Sequence, residues 1–190
     1  MFRIQAELLN RLSFFNKFFH SPRTIGSITP SSIFLAKEMV KCVDWKNTDV
    51  VVELGAGTGI FTRQIHGLKK PDCSVVIFEL DHQMRRRLQE QYPSFHYYAD
   101  AQYMSRALEE FGIPQVDCIV SGLPFTTFHK GLRDKILDGV IHSLKPGGWF
   151  ITFQYSLHMK KELIQRFKKV DISFVPFNVP PAFVYRCQKE

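Results

Sequence analysis

The sequence predicts an α/β fold in which a mostly parallel β-sheet carries helices on both faces. From Val50 onward, short apolar runs alternate with amphipathic segments, and this strand–helix order is typical of a parallel sheet. The first run, DVVVEL, is a continuous β-branched stretch that fits a strand buried on both faces. A chain of 190 residues is long enough to form one such domain with a sizeable core.

Seven strands are expected along the chain, separated by helices. The strands are predicted in DVVVEL, SVVIFEL, FHYYADA, VDCIVSGL, WFITFQYS, DISFVPF and AFVYRCQ. The helices between them are predicted in FTRQIHGL, HQMRRRLQEQY, AQYMSRALEEFG, GLRDKILDGVIHSL and KKELIQRF. Before the first strand, Ser31 or Ser32 is expected to cap a helix that extends to about Val43.

The first 24 residues are predicted to form an N-terminal amphipathic helix, and residues 25–190 form the main domain. An apolar stripe recurs at helical spacing through Ile4, Leu8, Leu12, Phe15 and Phe19. Two interpretations stay open, because such a stripe either lies in a membrane interface or packs across the sheet as a lid.

Composition limits the classes of partner and site. The net charge of +7 favours an anionic partner, either nucleic acid or an acidic membrane surface. No apolar run approaches the roughly 20 residues that span a bilayer. The four cysteines lie far apart, form no metal-binding pattern and predict reduced thiols in a cytoplasmic protein that needs no metal.

A glycine-rich loop follows the first predicted strand in the segment VVELGAGTG. Gly55, Gly57 and Gly59 allow a sharp turn and a close approach of the backbone to a ligand. Their GxGxG spacing differs from the GxGxxG of dinucleotide sites. Glu53 precedes the loop by two residues, where a carboxylate suits a ligand with a positive ammonium group better than a pyrophosphate.

Two further carboxylates end the next two predicted strands. Glu79 is placed to accept hydrogen bonds from ribose hydroxyls, and Asp100 to accept one from an adenine amino group. Because parallel strands end at one edge of the sheet, Glu53, Glu79 and Asp100 are expected to share a single rim. An ammonium, a ribose and an adenine without phosphate describe S-adenosylmethionine.

These segments resemble the class I S-adenosylmethionine-dependent methyltransferases. VELGAGTG is similar to the first motif of that family, FELD and YADA to the next two, and SGLPF to its acceptor motif. The resemblance implies an antiparallel C-terminal hairpin and S-adenosylhomocysteine as the product. It also implies cofactor contacts at Thr29, Glu53, Leu54, Gly55, Ala56, Gly57, Gly59, Glu79, Leu80, Asp100, Ala101 and Ser121.

A narrower resemblance, to bacterial phospholipid N-methyltransferases, rests on SPRTIGSITPSS, VSGLPF, FQYS and NVPPAFVYR. It implies methyl transfer to the amine of phosphatidylethanolamine, by an enzyme held peripherally at the inner face of the cytoplasmic membrane. The implied substrate contacts are Gly122, Leu123, Pro124, Phe125, Tyr155 and Asn178. Phe128, Phe183 and Tyr185 are further aromatic candidates for the acceptor pocket.

The acceptor motif favours an alkylamine over a nucleobase. Nucleobase methyltransferases usually carry Asn or Asp where this chain has Ser121-Gly122, because their acceptor nitrogen is planar. An alkylamine needs only loss of its proton and in-line placement, for which Ser121 and Tyr155 are the candidate orienting groups. His129 and His158 are the two candidate bases. Candidate contacts for a lipid phosphate are Lys130, Arg133, Lys160 and Lys161.

Three alternatives stay open at the level of the sequence. The first is methylation of adenine N6 in ribosomal RNA, since a basic protein of the same fold suits RNA. Another lipid amine is an equally open acceptor. A membrane-binding protein with a vestigial cofactor site is a third, although the intact glycine and carboxylate set argues against decay. A monomer is expected, and nucleic acid is the less favoured partner.

Overall fold

Seven strands form the centre of the protein. The computed structural model describes residues 30–113 and 115–190. The strands are β1 (Val50–Leu54), β2 (Ser74–Phe78), β3 (His96–Tyr98), β4 (Val116–Ser121), β5 (Leu144–Gln154), β6 (Lys169–Val175) and β7 (Ala182–Gln188). They make one sheet in the order β3-β2-β1-β4-β5-β7-β6.

The sheet is parallel except at one edge, as predicted. Strands β1 to β5 pair in parallel with their neighbours. Strand β7 runs antiparallel to both β5 and β6, which confirms the C-terminal hairpin. The chain leaves β1 toward β2 on one side and later returns to β4 on the other. A crevice therefore opens at the carboxyl ends of β1 and β4, where ligands of open α/β sheets bind.

Six helices cover the two faces of the sheet within the described residues. They are α1 (Pro30–Val40), α2 (Ile60–Leu68), α3 (His82–Gln91), α4 (Met104–Glu110), α5 (Lys130–Ser143) and α6 (Lys160–Arg166). Two short 3-10 turns, Ala101–Tyr103 and Phe125–Thr127, follow β3 and β4. This arrangement confirms the predicted α/β class with helices on both faces.

Each face of the sheet has its own hydrophobic core. On one face, Met39 of α1, Ile65 of α2 and Leu88 of α3 pack on side chains such as Val51 and Val120. On the other face, helices α4, α5 and α6 pack on the alternate residues of the same strands. The period-two alternation of a strand thus divides one valine-rich sequence between two cores.

Two local predictions were wrong. Ser31 and Ser32 lie inside α1 and do not cap it, and α1 ends at Val40, before the expected Val43. The fifth strand was expected to begin at Trp149, yet β5 already begins at Leu144. This segment pairs with a residue just after β7: the Gly147 N–H donates to the Lys189 carbonyl over 3.2 Å, and the Lys189 N–H donates to the Gly148 carbonyl over 3.0 Å.

Two predictions concern residues that the structure does not describe, and two others concern the cysteines and membrane-spanning helices. The predicted helix within residues 1–24 and the candidate contact Thr29 lie outside the described residues. All four cysteines are free thiols, and Cys73, Cys118 and Cys187 are buried. None of the helices in the described part of the chain is long and apolar enough to cross a membrane.

Candidate active site

The glycine loop adopts the conformation that its sequence predicts. Gly55, Gly57 and Gly59 have φ angles of 72°, 56° and 82°, in the left-handed region that favours glycine. A Cβ built on Gly57 would meet no heavy atom within 4 Å, so this peptide borders open space. Gly59 then begins α2 without a side-chain cap. The loop therefore presents exposed backbone to a ligand at the carboxyl end of β1.

Glu79 lies directly after β2 and faces this loop. Its Oε2 accepts the Gly57 N–H over 2.7 Å, and its Oε1 accepts the Asp81 N–H over 2.9 Å. Burial raises the pKa of Glu79, and the two backbone N–H groups oppose that rise. Each carboxylate oxygen keeps a further lone pair, so the geometry leaves capacity for two hydroxyl donors.

Glu53, near the end of β1, lies deeper than a surface ligand site. Its side chain has no solvent exposure, and Oε2 accepts a 2.8 Å hydrogen bond from the Thr62 hydroxyl of α2. Its Oε1 has no hydrogen-bond partner among the described residues. Burial, with a smaller contribution from the charge of Glu79, raises the pKa of Glu53 to about 8. The sequence did not single out Thr62, although a threonine in the first turn after the glycine loop is a detectable signal.

Asp100 follows β3 at the third point of the same rim. Its Oδ1 accepts the backbone N–H of Gln102 over 2.9 Å and so caps the short turn Ala101–Tyr103. Leu80, just after Glu79, is 42% exposed, and Leu54 and Ala56 are buried on either side of Gly55. The three carboxylates are thus brought to one edge as predicted, with Glu53 below the surface and Glu79 and Asp100 nearer to it.

The acceptor motif crosses directly over the glycine loop. The Gly122 N–H donates to the Leu54 carbonyl over 2.8 Å. A Cβ added to Gly122 would lie 2.8 Å from the Gly55 carbonyl oxygen, which is backbone and cannot rotate away. Any larger residue at this position would therefore push the two loops apart. Gly122 is one of the two residues that stand where nucleobase enzymes usually carry Asn or Asp, and this packing leaves no room for a side chain on it.

The rest of the acceptor loop is held by side chains beneath it. Ser121 is fully buried, and its Oγ accepts the Leu123 N–H over 3.2 Å. Gln154, at the end of β5, donates from Nε2 to the Leu123 carbonyl over 3.1 Å. The sequence analysis missed Gln154, yet a lone amide in the apolar run WFITFQ was a signal for it. These bonds fix the backbone between Ser121 and Pro124.

Aromatic side chains extend from the crossing toward the C-terminal hairpin. Phe61 and Phe153 have ring centroids 5.9 Å apart, and Phe153 and Tyr155 have centroids 5.6 Å apart. Burial raises the pKa of Tyr155 to about 12, against a hydrogen-bonding interaction with Asn178. Asn178 is itself buried and donates to the Pro180 carbonyl over 2.7 Å. Tyr155 and Asn178 are therefore neighbours, and the phenol of Tyr155 keeps its proton at neutral pH.

Three predicted site residues have structural roles instead. Phe125 is fully buried against Phe128 and Phe150, so it supports the loop from below and does not line a pocket. Tyr185 is also fully buried, and its hydroxyl donates to the Ser156 carbonyl over 3.0 Å. His129 caps α5, since its Nδ1 accepts the Leu132 N–H over 3.2 Å. That bond leaves His129 only Nε2 for any proton transfer.

Of the remaining candidates at this edge, His158, Lys130, Lys160 and Lys161 are exposed, and Arg133 is half-buried. His158 lies in the turn after β5, with its Nδ1 2.8 Å from the Ser156 hydroxyl. Lys130 forms an ion pair with Asp134, and Arg133 one with Glu162. Within residues 30–113 and 115–190, no cluster of three or more His, Cys, Asp or Glu side chains has the arrangement of a metal site.

Comparisons with known proteins agree with this geometry. Residues 51–148 match a family described as a methyltransferase domain. The chain is 36% identical over 180 residues to the ornithine lipid N-methyltransferase of Singulisphaera acidiphila, covering 92% of this chain and 94% of that protein. It is 31% identical over 121 residues to ribosomal RNA small subunit methyltransferase A of Thermotoga neapolitana, covering 60% of this chain and 42% of that one.

A solved structure shows the same fold. The 1,6-didemethyltoxoflavin-N1-methyltransferase of Burkholderia thailandensis, with its substrate and S-adenosylhomocysteine bound, has a TM-score of 0.72 to this chain. It is 15% identical and covers 97% of this chain and 89% of its own. The chain therefore belongs to the class I S-adenosylmethionine-dependent methyltransferases. Within that class it is an N-methyltransferase, and S-adenosylmethionine is its methyl donor.

The described residues fit this cofactor. The open space at Gly57 and the remaining lone pairs of Glu79 suit a ribose placed against the loop. Oε1 of Glu53 is buried and has no hydrogen-bond partner among the described residues, which is costly for a carboxyl oxygen. A positive group placed beside it would offset that cost. We therefore expect Gly57, Glu79 and Asp100 to hold the nucleoside, and Glu53 to act on the ammonium end from below.

Proposed function

We propose that this protein transfers methyl groups from S-adenosylmethionine to the amine of a membrane lipid headgroup. The observation that carries the proposal is the 36% identity to an ornithine lipid N-methyltransferase, which extends over nearly the full length of both chains. Ornithine lipid is accordingly the first acceptor to test. Phosphatidylethanolamine, which the sequence motifs favoured, is the second, since both present a primary amine beside a lipid.

The chain's own residues prepare the cofactor side of this reaction. S-adenosylmethionine, when bound, supplies an electrophilic methyl group on a positive sulfur. Glu79, whose position is fixed by the Gly57 and Asp81 N–H groups, would accept from the ribose hydroxyls. The crossing of Gly122 over Gly55 excludes any side chain between the two loops. The acceptor amine is therefore brought against the cofactor side without an intervening group.

On the acceptor side, Ser121 and Tyr155 are suited to orient the amine and not to remove its proton. Ser121 Oγ accepts the Leu123 N–H and still has its own hydroxyl hydrogen to donate. Tyr155 stays protonated at physiological pH because its pKa is raised to about 12, so it orients the amine by hydrogen bonding and is not a base. The proton acceptors that this arrangement leaves are Nε2 of His129, whose Nδ1 caps α5, the imidazole of His158, and solvent.

A second candidate, methylation of adenine in ribosomal RNA, is favoured by the relative from Thermotoga neapolitana. That similarity includes only 42% of the length of the RNA methyltransferase. The closed position at Gly122 argues against it, because an Asn or Asp side chain there would clash with the Gly55 carbonyl. A planar nucleobase amine would then lack the side-chain acceptor that it usually needs.

The test is methyl transfer from radiolabelled S-adenosylmethionine by the purified full chain. The acceptors are vesicles with ornithine lipid, vesicles with phosphatidylethanolamine, and unmodified ribosomal RNA, assayed in parallel. Label in either lipid supports the proposal and identifies the headgroup, whereas label in RNA alone overturns it. No label in any of the three, from protein that binds S-adenosylhomocysteine, also contradicts it.

Glu79→Ala provides the matched variant for that assay. Loss of the carboxylate is expected to weaken cofactor binding by about 1–3 kcal/mol, because charged hydrogen bonds to the ribose are lost. Asp81→Ala is the control, since it keeps the Glu79 carboxylate and removes a neighbouring acid that caps the Met84 N–H of α3. Calorimetry with S-adenosylhomocysteine measures both, and equal affinities of Glu79→Ala and the native chain would remove Glu79 from the site.

A further inference from the structure

An exposed apolar surface stands at the carboxyl edge of the sheet, beside the acceptor side of the site. In the loop between β6 and β7, Phe177 is 70% exposed and Val179 is 75% exposed. Phe34 of α1 is 52% exposed, and its ring lies 5.8 Å from that of Phe177, so helix and loop form one surface. We call this surface the apolar rim and define it as Phe34, Phe177 and Val179.

The apolar rim is continuous with the acceptor side of the candidate site. Phe177 and Val179 flank Asn178, which is buried and donates from Nδ2 to the Pro180 carbonyl over 2.7 Å. The loop thus presents apolar side chains outward and a site residue inward at successive positions. Large apolar side chains grouped in this way are uncommon on a soluble surface and mark an interaction site.

The loops beside the apolar rim contain basic but no acidic residues. The segments 122–133, 155–161 and 176–181, which follow β4, β5 and β6 at this edge, contain no Asp or Glu. Lys160 and Lys161 are exposed at the start of α6, and Lys37 is exposed one turn after Phe34 on α1. In the described part of the chain these three lysines form no ion pair. Apolar side chains with basic flanks are typical of surfaces that bind an anionic membrane interface.

We propose that the apolar rim inserts into the interface of an anionic lipid bilayer, with Lys37, Lys160 and Lys161 against the lipid phosphates. This inference rests on the proposed lipid substrate, and it identifies the surface by which the acceptor loop reaches headgroups that stay in the bilayer. A second copy of the chain is a poorer occupant, because a two-fold interface would bring the same lysines face to face. A bilayer supplies both the apolar layer and the negative charge.

The main test compares two double variants of the full chain for binding to vesicles. Phe177→Ser with Val179→Ser removes the most exposed part of the apolar rim. Leu68→Ser with Phe111→Ser removes two exposed apolar side chains from the C-terminal ends of α2 and α4, at the opposite edge of the sheet. We expect co-sedimentation with phosphatidylcholine–phosphatidylglycerol vesicles to fall about tenfold or more for the first variant and to stay near native for the second.

Methyl transfer to a water-soluble short-chain aminolipid separates this inference from the proposed function. We expect the Phe177→Ser/Val179→Ser variant to lose transfer to vesicles and to keep transfer to the soluble acceptor. Native-like vesicle binding by that variant, while lipid is still methylated, would overturn the docking surface alone. Loss of vesicle binding in a protein that methylates no lipid would support the surface and contradict the function.

A second measurement identifies what covers the apolar rim in solution. In Phe177→Trp, we expect tryptophan emission typical of a wet surface without vesicles, and a shift to shorter wavelength when anionic vesicles are added. Native protein, with Trp45 and Trp149 only, gives the background to subtract. Emission that is already shifted without lipid, and unchanged by it, would show the position covered by residues 1–29 or by a second copy, and would overturn the proposal.

Discussion

At the scale of single residues, the buried carboxyl of Glu53 is the most unusual group of the site. One oxygen accepts from Thr62, and the other has no partner within the described residues. The same burial that raises its pKa to about 8 makes the ionised form costly without a nearby cation. The residue is therefore poorly suited to stabilise the free protein and well suited to respond to a positive ligand.

A pH prediction follows from the direction of this shift. The folded protein keeps a proton on Glu53 between the usual pKa of 4.5 and about 8, whereas the unfolded chain releases it. The free energy of unfolding should therefore fall as pH rises through this window, by at most about 1.4 kcal/mol per pH unit from this group. Glu53→Gln should flatten the dependence, as measured by urea unfolding between pH 5 and pH 8.

The control for this experiment is a carboxylate that is already in water. Glu90 on α3 is exposed and pairs only with Arg86, four residues earlier in the chain. Glu90→Gln should keep the native pH dependence of unfolding. If Glu53→Gln and the native chain had the same slope, the proton would not reside on Glu53 in the folded state.

At the scale of elements, the sequence predicted the strands and helices well, because apolar residues recur at a different spacing in a strand than in a helix. Apolar runs such as VVVEL and VDCIVS left no doubt about β1 and β4, and helical spacing identified α2, α3 and α5. The early start of β5 was not predictable, because Pro146, Gly147 and Gly148 favour a turn locally. Residues distant in sequence hold that segment in the sheet: Lys189 pairs with Gly147 and Gly148, and Val116 pairs with Leu144.

In the candidate site, too, some features follow from the local sequence and others depend on residues that are distant in the chain. Glu79 and Asp100 were predictable, because parallel strands place their ends at one edge whatever their order. The contact of Gly122 with Gly55, and that of Gln154 with Leu123, depend on β4 lying between β1 and β5. The motif alone could not give that order. The same is true of Phe125, whose ring is buried by Phe150 from a later strand.

The crossing of the two loops predicts a large effect for a small substitution. Gly122→Ala places a methyl group 2.8 Å from the Gly55 carbonyl oxygen, so the loops must separate. We expect a loss of about 1–3 kcal/mol in the free energy of unfolding, together with a lower kcat. Gly67→Ala is the matched control, because this glycine of α2 has no heavy atom within 4 Å of the added carbon.

The control should be neutral or slightly stabilising, since alanine is the better helix former by about 1 kcal/mol. Chemical denaturation and the methyl-transfer assay measure both variants. A Gly122→Ala protein with native stability and native kcat would show that the loops yield at no cost. The account of the closed acceptor position would then fail.

At the scale of the whole molecule, the carboxyl edge of the sheet is divided by charge. The half that follows β1, β2 and β3 carries Glu53, Glu79, Asp81 and Asp100. In the other half, the segments 122–133, 155–161 and 176–181, which follow β4, β5 and β6, contain no Asp or Glu. This half includes the apolar rim. In the proposed docking, the cationic cofactor and the anionic membrane would take opposite halves of one edge. Neither partner has to approach a surface of its own sign.

This division predicts that salt acts on the two halves differently. Raising the salt from about 0.1 M to about 1 M shortens the screening length from about 10 Å to about 3 Å, so the exposed lysines lose their attraction to lipid phosphates. Binding to anionic vesicles should fall about tenfold or more, as about three basic side chains each contribute about 1 kcal/mol. S-adenosylhomocysteine is uncharged overall, so its affinity should change less than about twofold over the same range.

Vesicle co-sedimentation and calorimetry measure the two quantities on the same preparation. If both affinities fell together, salt would be acting on the fold, and if neither fell, the basic half of the edge would not meet the membrane.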